Sequence, residues 1–310
     1  MVDFSGIAGI HPLWLIILGL GVGMMSGLLG VGGGVLITPA LHVLGMSMPT
    51  AVATSLTQMV GTSLSGSYKH YRQDNVRIPL ALMYGIPGML GVSLGKTLLS
   101  RWSSGEADRI LSFLYLATMT VLSLSMLRKI YGPAAPLGVK RPRKIWGPRF
   151  RLSGTDTDIA WIPNLAIGTG IGLLSSLTGL GGGFFYIPAL MHLTGSTMKQ
   201  AVGTSLATVF LSSLFGAVVY GAAGVSNIPA AFLLMSGSVV GAQMGAVAAH
   251  RIQNRGLERL FLLLILAALL SMIAQRFDYS LAANVILFGT GISVMCIALM
   301  LVFCADRMSS

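Results

Sequence analysis

The residues with the clearest capacity for chemistry are two glycine triplets, Gly32–Gly34 and Gly181–Gly183. Each glycine disfavours a helix by roughly 1 kcal/mol relative to alanine, so each triplet predicts a break between two helices. The helix that begins after a break has N–H groups without intrahelical partners and the positive end of a helix dipole, which together bind anions. The triplets therefore predict an anion site made from backbone N–H groups. The alternative is close helix packing through small residues.

A polar segment follows each triplet one helix later and offers side-chain donors. Hydroxyl and amide groups bind an oxyanion without the burial of a lysine. The alternative for the hydroxyls is hydrogen bonding between helices. We predict that the glycines of both triplets and six side chains bind the substrate. The side chains are Thr54, Ser55, Gln58, Thr204, Ser205 and Thr208, and the glycines are Gly32, Gly33, Gly34, Gly181, Gly182 and Gly183.

These residues belong to a unit that occurs twice in the chain. The segment GLGVGMMSGLLGVGGG at 19–34 matches GTGIGLLSSLTGLGGG at 168–183, and AVATSL at 51–56 matches AVGTSL at 201–206. The register continues as far as Arg109 and Arg259. In membrane proteins, paired hydrophobic segments interrupted by Gly and Pro indicate a transport site between two halves.

The composition is that of a membrane protein. Hydrophobic residues make up 54% of the chain and charged residues 9%, whereas a soluble domain carries about 25% charged residues. A helix needs about 20 apolar residues to cross a bilayer. Runs of this kind occur near residues 50–68, 78–99, 110–127, 200–221, 228–249, 257–275 and 281–304. Backbone groups in lipid must be bonded internally, so these runs predict helices.

Much of the net charge of +11 lies in one basic stretch between residues 128 and 151, which has no acidic residue. This pattern is typical of a cytoplasmic loop, and a regulatory or partner-binding role is the alternative. If each short apolar segment after a triplet counts as a crossing, the two repeats have opposite orientations. If these segments instead re-enter the membrane without crossing it, Arg251 and Arg255 lie on the side of the membrane opposite the cytoplasm. The positive-inside rule therefore favours inverted repeats.

The predicted fold class is an all-α polytopic membrane protein of two inverted repeats with glycine-rich broken helices and an extra C-terminal transmembrane helix. Four segments follow from this reading. They are a first transmembrane repeat at 12–128, a basic cytoplasmic loop at 129–160, a second repeat at 161–275 and an additional helix at 281–304.

The sequence predicts no enzyme, no catalytic residue, no metal site, no cofactor and no nucleic-acid partner. The segment Gly91–Gly95 matches the hydrolase pattern G-x-S-x-G, but the equivalent segment carries Gln243 in place of Ser93. No buried Asp or Glu is predicted inside a span, which argues against the carboxylate sites typical of proton or sodium coupling. Protons stay a candidate coupling ion through His42 and His192, and the alternative for both histidines is helix packing or the lining of a cavity. The stripe Gly237, Gly241 and Gly245 packs either within the protomer or in a homodimer.

Several motifs resemble those of the TauE/SafE family of sulfite exporters. They are GLLGVGGGVLITPAL at 27–41, LTGLGGGFFYIPAL at 177–190, the pair AVATSL and AVGTSL, and Asn75-Val76 in a basic turn. The resemblance implies a secondary transporter of sulfite, sulfoacetate, thiosulfate or a related sulfur-containing anion. We expect a multi-pass protein of the inner (plasma) membrane, in contact with lipid, that exports its substrate, with uptake as the alternative direction. Rocking of one repeat against the other would give alternating access. An anion channel, or a transporter of another small oxyanion or carboxylate, is the alternative.

Overall fold

A computed structural model of the chain describes residues 11–131, 149–150, 159–252 and 254–277, with isolated positions at 279, 285–286, 289–290, 292–293 and 296. The first repeat contains α1 (Pro12–Leu29), α2 (Gly34–Val43), α3 (Met48–Tyr71), α4 (Ile78–Leu99) and α5 (Ser104–Tyr131). The second contains α6 (Trp161–Thr178), α7 (Gly183–Thr194), α8 (Met198–Ala222), α9 (Ile228–Arg251) and α10 (Asn254–Arg276). Two short strands, β1 (Arg149–Phe150) and β2 (Ile159–Ala160), pair antiparallel between the repeats. The predicted additional helix at 281–304 lies mostly outside the described residues.

Local sequence explains where most helices begin. Proline occupies the first turn of α1, α3, α4 and α9. Proline is tolerated there because N–H groups of the first turn make no intrahelical hydrogen bond. Side chains of His11, Ser47, Thr197 and Asn227 cap the first N–H groups of α1, α3, α8 and α9. The long helices therefore start at positions that the sequence marks.

Five helices in the described part of the chain are long and apolar enough to cross a membrane, namely α1, α4, α5, α8 and α9. The helix α3 has 24 residues but carries many Ser, Thr and Gln side chains. The helices α2 and α7 have only 10 and 12 residues. At 1.5 Å per residue, each rises about 15 to 18 Å, roughly half the hydrocarbon thickness. These elements confirm the predicted all-helical polytopic fold with broken helices.

The helices of the two repeats interlock along stripes of glycine. The helix α1 packs along α9, and a Cβ atom placed on Gly27 would overlap the Ala242 carbonyl oxygen. In the other direction, a Cβ on Gly241 would overlap the Leu20 carbonyl oxygen. The helix α6 packs along α4 in the same manner, because a Cβ on Gly91 would overlap the Thr169 carbonyl oxygen. The stripe on α9 that the sequence left unassigned thus packs within the protomer.

The equivalent helices α3 and α8 lie against each other in opposite directions. Near the end of α3, the His70 Cβ lies 2.9 Å from a Cβ placed on Gly203, which is in the first turns of α8. Near the start of α3, the Thr57 hydroxyl donates to the Ser226 hydroxyl, just after the end of α8, at 3.4 Å. These contacts place α3 and α8 antiparallel at the centre of the protein.

Candidate functional site

Each glycine triplet lies in a sharp, buried break between two helices. In the first repeat, α1 ends at Gly30, where φ is 75°, and α2 starts after Gly33, where φ is 96°. In the second repeat, Gly179 and Gly182 have φ values of 71° and 74°. These left-handed conformations are accessible to glycine at little cost. Both breaks are buried, so the N–H groups that follow them face the protein interior.

The helices that follow the breaks begin without a side-chain cap. No side chain accepts a hydrogen bond at the N-cap residues Gly33 of α2 and Gly182 of α7. The first N–H groups of any α-helix lack intrahelical acceptors, and its N-terminus carries about half a positive charge. The starts of α2 and α7 are therefore two buried positive ends with donors directed away from the helix.

The two breaks meet at one pair of side chains, Met59 of α3 and Val209 of α8, which are equivalent positions in the repeats. A Cβ placed on Gly32 would lie 2.7 Å from Val209 Cγ1 and 3.1 Å from Met59 Sδ. A Cβ placed on Gly181 would lie 2.5 Å from Met59 Sδ and 3.4 Å from Val209 Cγ1. The structure thus brings both predicted triplets to the same point between the repeats.

The serine hydroxyls predicted for the site link each repeat to the helix break of the other. The Ser55 hydroxyl donates to the Gly179 carbonyl at 3.1 Å, and the Ser205 hydroxyl donates to the Gly30 carbonyl at 2.8 Å. Thr38 also donates to the Gly179 carbonyl, at 3.2 Å. These carbonyls end helices α6 and α1, where the last turn lacks intrahelical donors. In this arrangement, each serine's single O–H is bonded to backbone.

The threonines of the same segments hold the turns before α4 and α9. The Thr204 hydroxyl accepts from the Arg77 N–H at 3.0 Å, and the Thr54 hydroxyl accepts from the Asn227 N–H at 2.9 Å. The Thr208 hydroxyl donates to the Thr204 carbonyl at 2.9 Å. The structure thus gives all five hydroxyls contacts within the protein, and their role as substrate ligands stays a prediction.

The two serines are expected to differ in their effect on stability. Ser205→Ala removes the hydroxyl that bonds the Gly30 carbonyl, whereas after Ser55→Ala the Gly179 carbonyl keeps its bond from Thr38. An unsatisfied buried carbonyl costs about 1–3 kcal/mol. We expect a larger fall in the detergent melting temperature for Ser205→Ala than for Ser55→Ala. The reverse order would contradict these cross-repeat bonds.

Gln58 is the predicted side chain with a free polar atom at a helix break. It is fully buried, and its Oε1 lies 3.6 Å from a Cβ placed on Gly33. This Oε1 has no hydrogen-bond partner among the described residues. The other end of the amide bonds Thr62 and, at 2.7 Å, the Ser238 hydroxyl. Half a turn of the amide would direct its N–H donors toward Gly33, while Oε1 accepts from one of the two hydroxyls, which also bond each other.

Sequence reasoning missed Thr62 and Ser238, which complete this cluster. Thr62 lies one helical turn after Gln58, so helical spacing was an available signal. Ser238 comes from α9 and bonds the Thr62 hydroxyl at 2.6 Å. Ser238 lies within the glycine stripe of α9, one turn before Gly241. Nothing in this local sequence indicates contact with Gln58, which lies 180 residues earlier.

A further pair of side chains at equivalent positions contacts carbonyl groups in the last turns of α1 and α6. A ring nitrogen of His70, Nε2, lies 2.7 Å from the Gly27 carbonyl oxygen. The Tyr220 hydroxyl donates to the Ser176 carbonyl at 2.8 Å. His70 and Tyr220 are equivalent positions of the repeats, and so are Gly27 and Ser176. The sequence showed no common residue type at these positions, so the pair was not predicted.

The family of the chain follows from its match over both repeats. A family model described as "Sulfite exporter TauE/SafE" matches residues 15–272. The chain belongs to the TauE/SafE family. This matched span contains both triplets and every predicted site residue. The TauE/SafE protein described here is therefore a multi-pass membrane transporter, and the prediction that it is not an enzyme is confirmed.

Relatives of this TauE/SafE protein occur in bacteria and archaea. It is 27% identical to YjnA, a probable membrane transporter protein of Bacillus subtilis, over 84% of this chain and 98% of the relative. It is 28% identical to YunE of the same organism over 78% and 89% of the two chains. It is 24% identical to MJ0441 of Methanocaldococcus jannaschii, over 79% and 88%. No solved structure gives a significant match.

Proposed function

We propose that this protein is a secondary transporter of a small sulfur-containing oxyanion such as sulfite or sulfoacetate, and that it exports this anion across the inner membrane. The substrate binds between the repeats, at the breaks Gly32–Gly34 and Gly181–Gly183. Gln58 is the side-chain ligand, and it donates to the anion through its amide N–H groups after the half turn described above. The hydroxyls of Thr54, Ser55, Thr204, Ser205 and Thr208 line the same region.

The observation that carries this proposal is that Gly32 and Gly181 both lie against Met59 and Val209, and that an uncapped helix start follows each of these glycines. Among the described residues, the buried polar side chains include no Asp, Glu, Lys or Arg. A buried anion there would be balanced by backbone N–H groups and helix dipoles. The oxygens carried by the sulfur of a sulfite or sulfonate group accept several such hydrogen bonds at once.

The antiparallel contact of α3 with α8 supports an inverted-repeat arrangement. In transporters of that kind, the substrate binds near the bilayer midplane between the repeats, and one repeat rocks against the other. Both breaks here touch the same central pair of side chains, so a rocking motion would change access to the site from either side. Alternating access is the mechanism that this arrangement favours.

Flux into proteoliposomes tests the proposal. Purified protein is assayed with radiolabelled sulfite, sulfoacetate, thiosulfate, sulfate and an amino acid, with and without an imposed proton gradient. We expect saturable flux of one sulfur-containing anion, and a response to the gradient would identify protons as the coupling ion. A rate that far outpaces a carrier and does not saturate would indicate an anion channel. Absence of flux with any sulfur-containing anion would contradict the proposed substrate class.

Gln58→Leu is expected to lower kcat/KM for the transported anion about 10- to 100-fold, the effect of one lost hydrogen bond to a charged group. The change removes the amide beside Gly33 at nearly constant volume. The matched control is Gln243→Leu, because Gln243 is an exposed amide on α9. Flux kinetics of the two variants are compared at equal protein density. Equal losses in both variants would show that Gln58 has no specific role.

A further inference from the structure

At the second helix break there is a buried tyrosine hydroxyl that has no role in the site described so far. Tyr186 lies in the first turn of α7 and is fully buried. Its hydroxyl has no hydrogen-bond partner among the described residues. Buried polar groups are almost always hydrogen-bonded, because an unmet one costs about 1–3 kcal/mol. Such a group at a helix start is a candidate ligand-binding group.

The other fully buried tyrosines all have partners. Tyr84 donates to Asn164, Tyr115 donates to the Val35 carbonyl at 2.6 Å, and Tyr220 donates to the Ser176 carbonyl at 2.8 Å. These three residues show that buried phenols in this fold are ordinarily held by the protein. Tyr186 differs from them in this respect.

The ring of Tyr186 lies beside the uncapped start of α7, and its hydroxyl lies against α4. Its ring edge lies against the break, since a Cβ placed on Gly182 would be 2.8 Å from Tyr186 Cε2. Its hydroxyl lies over Gly88 of α4, where an added Cβ would be 2.8 Å from the oxygen and 3.7 Å from Ser212 Cβ. The ring of Tyr84 meets that of Tyr186 edge-on, with centroids 6.0 Å apart, and fixes its orientation.

Comparison of the repeats shows that the two breaks carry unlike polar groups. At the first break Gln58 meets Ser238, and the equivalent positions at the second break hold Thr208 and Gly88. The first repeat in turn has Ile37 where the second has Tyr186. At the second break, the Tyr186 hydroxyl lies against Gly88, the position equivalent to Ser238. Gln58 at the first break and Tyr186 at the second are both buried, and each has a polar atom without a hydrogen-bond partner among the described residues.

We infer that the Tyr186 hydroxyl is a substrate ligand that donates a hydrogen bond to an oxygen of the bound oxyanion at the start of α7. The inference rests on the proposed function, because it takes the anion to bind at the two breaks. The site is then asymmetric, with an amide from the first repeat and a phenol from the second. A phenol donates to an oxyanion without adding charge.

The test compares Tyr186→Phe with Tyr220→Phe in the full-length protein in lipid nanodiscs. Binding is measured as the thermal stabilisation by sulfite and by sulfoacetate, which does not require transport. We expect Tyr186→Phe to raise the Kd of the bound anion about 10- to 100-fold, with no fall in the ligand-free melting temperature. Tyr220→Phe loses its bond to Ser176, so it should melt earlier and keep the wild-type Kd.

A second variant probes the same space with the hydroxyl retained. Gly88→Ala places a methyl group against the Tyr186 oxygen, while its other neighbours stay at 3.7 Å, so the fold should persist and the Kd should rise. An unchanged Kd in both Tyr186→Phe and Gly88→Ala would overturn the inference. Anion binding without flux in the wild type would contradict the proposed transport alone. Absence of binding by either anion in the wild type would contradict both.

Discussion

Gly33→Val and Gly182→Val are each expected to lower transport at least about 100-fold, the loss that follows when reacting or binding groups are displaced by roughly 1 Å. The φ values of 96° and 74° at these N-cap residues are unfavourable for a β-branched side chain. A Cβ at Gly182 would also lie 2.8 Å from Ile171 Cγ2. The start of the short helix must therefore shift, and its N–H groups move with it. Proteoliposome flux measures the effect.

The control for this result lies at the other end of α7. Gly195 ends the helix with φ of 68°, and a Cβ there would meet nothing within 4 Å. Gly195→Val thus carries comparable backbone strain away from the break. We expect all three variants to reach the membrane. Gly195→Val should retain transport, whereas the two N-cap variants should lose it. Wild-type flux in both N-cap variants would refute an anion site at the glycine breaks.

Gly241→Leu is expected to prevent accumulation of a stable, monodisperse protein. A Cβ at this position would overlap the Leu20 carbonyl oxygen and lie 2.8 Å from the Met24 backbone nitrogen. Backbone atoms cannot rotate away as a side-chain end can, so α1 and α9 would have to separate. Overpacking in a core costs about 1–3 kcal/mol, and more where backbone must move. Expression level, size-exclusion profile and melting temperature in detergent measure the loss.

Gly221→Leu is the matched control, because a Cβ on this glycine of α8 would meet nothing within 4 Å. It should express and melt like the wild type. The comparison also separates two roles for the α9 stripe. If the stripe joined two protomers, Gly241→Leu would give a folded monomer in cross-linking and size exclusion. That outcome would contradict the packing of α9 on α1 within one chain.

A homodimer stays a prediction, but the glycine stripe no longer supports it. Gly237, Gly241 and Gly245 all lie against the backbone of α1 in the same protomer. Any contact between two protomers must therefore use another surface. Cross-linking of the purified wild-type protein in nanodiscs would identify the oligomeric state directly.

The helices and the two breaks could be predicted from the sequence, because their physical causes are local. Apolar runs of spanning length require helices in lipid, and proline in the first turn marks where several of them start. Three consecutive glycines weaken a helix wherever they occur. Because the motif occurs twice, the same kind of break is predicted in each repeat, and the site is predicted to have two similar halves.

Which groups at the breaks are bonded and which are free could not be predicted, because it depends on the packing of distant helices. Ser55 and Ser205 share a sequence motif, and each bonds the broken helix of the opposite repeat more than 120 residues away. Gln58 meets Ser238, and Tyr186 meets Gly88, because α9 and α4 pack beside the breaks. Such contacts depend on how the repeats interlock. Hydrophobicity and helix propensity describe each segment separately, so they hold no information about which distant segments become neighbours.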